Sequence, residues 1–266
     1  MTAPLAKLLK EGAFEFQMGL RRGEEEFFRN RPENTALLTE RVHWLATDPD
    51  RHAACEPDAN AALAELLDYV RTVNPGLVGD SLLTLGRGWE PDFLLLCPDT
   101  VGVFRLVAAC VCFPSHWVLR EKMRQPVAAI HTPVPTLNAT LGSKIDMFLA
   151  GLRADAIWER WNWGLAATSE LNDHPQRGLP RLNAETPLDS CWFRSEHQAF
   201  RRLSASGAIL FAIRLDLVPL TVLAADRTLA QRLAEALRTM PAEIAAYKGL
   251  TTARLPLADR LLGTGI

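Results

Sequence analysis

The sequence lacks the short motifs that usually announce a chemistry. It holds no P-loop, no GxGxxG behind a strand, no HExxH, no CxxC and no GxSxG. Those absences set aside the standard nucleotide-cradling, zinc-protease, dithiol and serine-hydrolase constellations. No run of 18 apolar residues occurs, so no membrane-spanning helix is expected. The opening stretch MTAPLAKLLKEG has no apolar leader core, so a cytoplasmic protein is expected. Charge is scarce in net terms: −2 over 266 residues, acids and bases interspersed, with no basic face for nucleic acid. No repeat, low-complexity tract or linker divides the chain. The cysteines number five, an odd count, and sit mostly in apolar runs, which favours buried, reduced thiols over a disulfide framework. Cys110 and Cys112 alternate like the strand around them, so both thiols are expected on one face.

What is present is apolar substance. Hydrophobic residues make up 48% of the chain, enough for a real core and for one domain spanning 1–266 with helical extensions at both ends. DANAALAELLDYVRTVNPG reads as a helix, because Leu63, Leu66, Leu67 and Val70 share a face and Asn74-Pro75-Gly76 stops it. DFLLLCPDTVGVFRLVAACVCF reads as a hairpin turning near Pro98-Asp99 and Gly102, and LGRG at 85–88 as a turn. LGSKIDMFLAGLRADAIWERW reads as one amphipathic helix with Ser143 and Asp146 as its capping pair. SGAILFAIRLDLVPLTVL is the best strand, TLAQRLAEALRTMP a late helix, and YKG is expected to end the ordered part. Hairpins with helices between them, and no βαβ rhythm, imply an α+β fold around an antiparallel sheet.

Two places concentrate possible chemistry. His131 lies between an apolar run and Pro133-Val134-Pro135, whose prolines stiffen the segment as a ligand residue would require. The plain alternative is an imidazole bonded to a backbone carbonyl at a turn. His43, His52, His116 and His174 read as surface or structural histidines. The second place is WFRSEHQAFRRL, where Ser195 and Gln198 suit the start of a short helix carrying Glu196, Phe200 and Leu203 on one face. A carboxylate on an apolar face needs a partner, so Glu196 either serves a cationic or proton-exchanging ligand or complements the helix dipole. Arg194, Arg201 and Arg202 either neutralise a carboxylated cofactor or form a solvated basic face.

Taken in order, GWEPDFLLL, LVAACVCFPSHWVLREKM, IHTPVP, WNWGL, FRSEHQAFRRL, GAILFAIRLDLVPL and YKG resemble the haem-dependent oxidative N-demethylase family, with a weaker likeness at FEFQMGL. The chain differs from that family's usual pattern at Trp89-Glu90-Pro91-Asp92, His197-Gln198 and Arg124-Gln125. The resemblance implies a PAS-like antiparallel sheet with flanking helices that holds haem b. It implies oxidative demethylation with O₂ of a small secondary amine, dimethylamine giving methylamine and formaldehyde. It also implies electron-transfer subunits carrying FMN and an iron–sulfur cluster, since this chain has no motif for either. On that basis His131 is the expected iron ligand, and Lys122, Arg194, Arg201 and Arg202 are the expected cofactor-binding cations. Glu196 is the expected base for the protonated amine, with Asp216 in reserve. The rival classes are a non-catalytic haem or small-molecule sensor and a haem-free structural subunit of an oxidase.

Overall fold

Alternating apolar residues build a seven-stranded antiparallel sheet in the computed structural model, which describes residues 5, 8–15 and 18–263. The strands are β1 (Arg21–Arg22), β2 (Ala53–Cys55), β3 (Asp92–Pro98), β4 (Phe104–Cys110), β5 (Ile157–Ala166), β6 (Trp192–Arg202) and β7 (Ile209–Pro219). Their order across the sheet is β1-β5-β6-β7-β3-β4-β2, so the long strands β5, β6 and β7 are neighbours. Helices cover both faces, which makes the fold α+β. Among the described residues no helix is long and apolar enough to cross a membrane.

The period of two sorts each strand between two cores. Phe93 and Leu95 of β3, Ala199 of β6 and Ala212 of β7 face the helices α1 (Thr35–Thr47), α3 (Asn60–Val73) and α4 (Leu82–Gly88), with α2 (Pro49–His52) leading into β2. Leu94, Leu96, Phe200, Phe211 and Ile213 face the opposite way, towards α5 (Val127–Ile130) and α6 (Leu137–Gly151). A third core joins Phe193 to α7 (Leu220–Ala224), α8 (Arg227–Thr239), α9 (Ala242–Tyr247) and α10 (Arg254–Leu261). Leu5 and Leu9 enter this core too; residues 1–4 and 6–7 of the expected N-terminal extension lie outside the described residues, as do 16 and 17 within FEFQMGL.

Several expectations need correction. The segment expected as one helix over 141–161 is α6 followed by β5. The helix starts earlier, at Leu137, so Ser143 and Asp146 lie inside it rather than at its cap. From Ile157 the sequence IWERWNW is rich in the bulky aromatics that suit a pleated surface, and its period becomes two. WFRSEHQAFRR is likewise a strand, not a helix: every residue of β6 has a register partner in β7, and all but Arg202 have one in β5. The capping pattern of Ser195 and Gln198 loses to two ladders of pairing. Because four is even, Glu196 and Phe200 share a face in a strand as they would in a helix, whereas Leu203 does not. LGRG ends α4 as helix, and a Cβ on Gly86 would collide with Cys110 Sγ, so only glycine allows that helix to lie against β4. The chain also continues past YKG into α10.

One buried ion pair fastens the first core. Arg41, fully buried, donates from Nη1 to Asp92 Oδ1 at 2.6 Å and from Nε to the Gly86 carbonyl at 2.8 Å. Asp92 also accepts from the backbone N–H groups of Cys112 and Phe113. Asp92→Ala would strand a buried guanidinium and two amides, and is expected to destabilise the fold by about 3–5 kcal/mol in a denaturant titration. An unchanged midpoint would show that the pair is dispensable.

Candidate functional site

The face of β5, β6 and β7 opposite to the first core does not pack tightly against α5 and α6. A cavity of ≈ 1040 Å³ separates them, at the upper end of the range typical of small-molecule and cofactor sites. Antiparallel register arranges its floor in cross-strand rows. Phe200 and Phe211 form one row, Arg160, Gln198 and Ile213 the next, and Asn162 and Glu196 the third. Phe200 stacks on Phe211 with ring centroids 4.6 Å apart and meets Phe148 of α6 edge-on. The floor is thus apolar at one end and polar at the other.

The polar end is organised around Glu196. The Ser115 hydroxyl donates to its Oε1, and Gln198 Nε2 and Asn162 Nδ2 donate to its Oε2 at 2.8 and 3.3 Å. Arg194 Nε donates in turn to Ser115 Oγ at 2.9 Å. The rest of its guanidinium is spent on the carbonyls of Phe113, Pro114, Glu170 and Leu171. Arg194 therefore cross-links three segments of the wall, and its charge reaches the carboxylate through Ser115. This is a preformed acceptor held by three side chains directly and by Arg194 through Ser115.

Two further cations line the same cavity. Arg160 Nε is closed off from solvent and has no hydrogen-bond partner among the described residues. Burial lowers the proton affinity of its guanidinium, with Glu196 opposing that shift. Lys248 donates from Nζ to the Trp163 carbonyl at 2.7 Å. Burial pushes its amine down to about 8, against the pull of Glu196 and with help from Arg160.

On the roof, His131 follows directly on α5. Its backbone is helical, φ −85 and ψ −6, rather than the extended segment that the flanking prolines suggested, and its N–H donates to the Val127 carbonyl. The ring lines the cavity, and Nδ1 is closed off from solvent without a partner among the described residues. Burial lowers the imidazole's proton affinity; Arg160 adds to the shift and Asp146 opposes it. The ring is therefore held neutral with a free nitrogen.

Of the residues singled out from sequence, the fold brings Glu196, His131, Lys122 and Arg194 to one cavity. It does not bring the other three there. Arg201 lies on the opposite face of β6, paired with Glu25 and placed over the Tyr69 ring. Arg202 donates to the carbonyls of Ala150 and Leu152 at the far end of α6. Asp216 is exposed and pairs with Arg31 at 3.3 Å, beside the buried pair of Arg31 with Glu90. Among the other histidines, His52 is bonded through Nδ1 to the Val111 carbonyl and His197 through Nε2 to Glu159. His116 lines the cavity mouth next to Arg181.

The sequence reading missed Ser115, Arg160, Asn162 and Lys248, and took Gln198 for a cap. A signal existed for two of them. With WERWNWGL read at period two, Arg160 and Asn162 fall together on one face. Ser115 and Lys248 come from loops, where no period reports direction.

Among the described residues no group of three or more His, Cys, Asp and Glu side chains is placed to hold a metal ion. His131 is the imidazole with an unpartnered buried nitrogen in this cavity among the described residues; His116 at its mouth already meets Arg181. Residues 72–257 match the model of a family described as haem-dependent oxidative N-demethylase, alpha subunit-like. That span is well over half of the chain and takes in every cavity residue named above.

Proposed function

This chain belongs to the haem-dependent oxidative N-demethylase, alpha subunit-like family, and we propose that it holds haem b in the cavity between its sheet and α6. In this reading it demethylates a small secondary amine with O₂, dimethylamine giving methylamine and formaldehyde, on a PAS-like sheet in the cytoplasm.

The observation that carries the reading is the pairing of an unpartnered, neutral imidazole on the roof with a preformed carboxylate on the floor. The residues present fit a haem. His131 Nδ1 is an orphaned buried nitrogen that iron ligation would satisfy, and neutral imidazole is the form that ligates. The apolar row of Phe200, Phe211 and Phe148 suits a porphyrin plane, and Arg160 and Lys122 offer cations for its carboxylates. Arg194, Arg201 and Arg202 are already engaged by protein acceptors and would hold the walls. When bound, haem supplies the O₂ and electron chemistry that no side chain can.

The chain's own part is desolvation and one proton. A secondary amine is an ammonium ion near neutral pH, and its nitrogen is unreactive until that proton leaves. The apolar row disfavours the charged form, and Glu196 takes the proton at a carboxylate oxygen. Ser115 at one oxygen, and Asn162 and Gln198 at the other, keep the carboxyl group in place. Asp216, the second candidate base, projects from the other face of β7, so the role falls to Glu196. Electrons would come from partner subunits bearing FMN and an iron–sulfur cluster, consistent with an alpha-subunit-like family.

The test is formaldehyde release. The haem-loaded chain with dimethylamine, O₂ and a reduced-nicotinamide-dependent reductase is expected to release it, and to release little with the nicotinamide alone. Haem loading without amine-dependent formaldehyde under any electron supply would favour a sensor instead. Rapid nicotinamide oxidation by the lone chain would refute the need for partners.

A further inference from the structure

We propose that Lys248 is a covalent site for a small aldehyde, its amine adding to formaldehyde in the cavity and holding it as a methylene imine. The side chain opens onto the same cavity as Glu196, yet makes no ion pair with any carboxylate among the described residues. Its Nζ has one bond, to the Trp163 carbonyl, and lies 5.5 Å from the centroid of the Trp163 ring. A buried ammonium held by one carbonyl and an aromatic face is poorly compensated, so its proton is held less tightly than in water. The charged and titratable groups around it agree. Arg160 lowers its proton affinity, Glu196 raises it, Tyr247 is its chain neighbour, and Arg181 lies against Gly249. The outcome is an amine near 8, of which about a tenth is in the free, nucleophilic form at pH 7.

The chemistry balances without an oxidant. The Nζ lone pair forms a bond to the carbonyl carbon, the π pair moves to oxygen, and a proton passes from nitrogen to that oxygen to give a carbinolamine. Loss of the hydroxyl with the remaining nitrogen proton releases one water and leaves the imine; attack by water reverses both steps. Glu196, having taken a proton from the amine substrate, is a source of the proton the oxygen needs. A reversible imine would keep the aldehyde in the cavity until a nitrogen nucleophile displaced it by exchange. That formaldehyde arises in this cavity rests on the proposed demethylation; the reactive amine itself does not.

The experiment uses the purified chain with formaldehyde and cyanoborohydride at about pH 7.5, which converts an imine to N-methyllysine, followed by peptide mapping. Methylation at Lys248 is expected to run at least about tenfold faster than at exposed Lys144, because a far larger fraction of a depressed amine is unprotonated. Lys248→Met should remove that label and leave Lys144 labelled. Equal rates at the two lysines in the unaltered chain would overturn the proposal. No amine substrate or reductase is present in this assay, so its failure is separate from any failure of the demethylation reading.

Discussion

Glu196→Gln is expected to retain haem and to lower formaldehyde release by roughly 10²–10⁴-fold, the range typical of a lost general base. The variant is informative because the network tolerates the amide. With its oxygen towards Gln198 and Asn162, glutamine still accepts both of their bonds, and its NH₂ can donate to Ser115 Oγ. A hydroxyl accepts as readily as it donates. Stability should therefore change by no more than about 1 kcal/mol, the size of one ordinary hydrogen bond. Glu196→Leu is a poorer probe, because it strands three donors at once. Unchanged turnover in Glu196→Gln with the haem still bound would remove Glu196 from the chemistry.

His131→Ala is expected to abolish the imidazole-ligated absorption signature while the chain stays folded. No side-chain hydrogen bond of His131 is broken by the truncation, since Nδ1 has none to lose, and its backbone bond to Val127 survives. A half-buried ring without polar partners should contribute about 1 kcal/mol to stability, near the centre of the range for single substitutions. Acid should mimic the substitution. The folded ring's proton affinity lies below the ordinary value of 6.5, so the unfolded chain binds the proton first. Stability is then full above about 6.5 and falls as the pH drops through the window beneath it. Iron ligation, which needs the neutral ring, should outlast that window and fail only at lower pH, where the folded ring itself takes the proton. A variant that keeps the wild-type signature would make His131 structural, and His116, which also lines the cavity, would be tested next.

The hairpin of β3 and β4, the strand β7 and the helices α3 and α8 were legible in the sequence, because each shows one period between clear stops. β6 was not. Its Ser195-to-Gln198 spacing imitates a helix start, and only the pairing with β5 and β7, which are remote in sequence, decides otherwise. The error spared Glu196 and Phe200, since a separation of four keeps a common face in either geometry. It misjudged the arginines: alternation sends Arg201 to the other side, and Arg202 lies beyond the cavity at the strand's end. His131 was singled out for a reason that does not hold, the extended segment, yet the fold still leaves its Nδ1 buried and unpartnered among the described residues. The cations Arg160 and Lys248 were invisible because their importance lies in the partners they lack, and a sequence does not display a missing partner.

The central claim is that this cavity holds haem through one histidine, and the most direct measurement is a titration of the purified chain with haem, followed by absorption. The account predicts saturation at one haem per chain, with a Soret band and visible bands of a nitrogen-ligated haem that His131→Ala loses. A titration that never departs from the spectrum of free haem would contradict it.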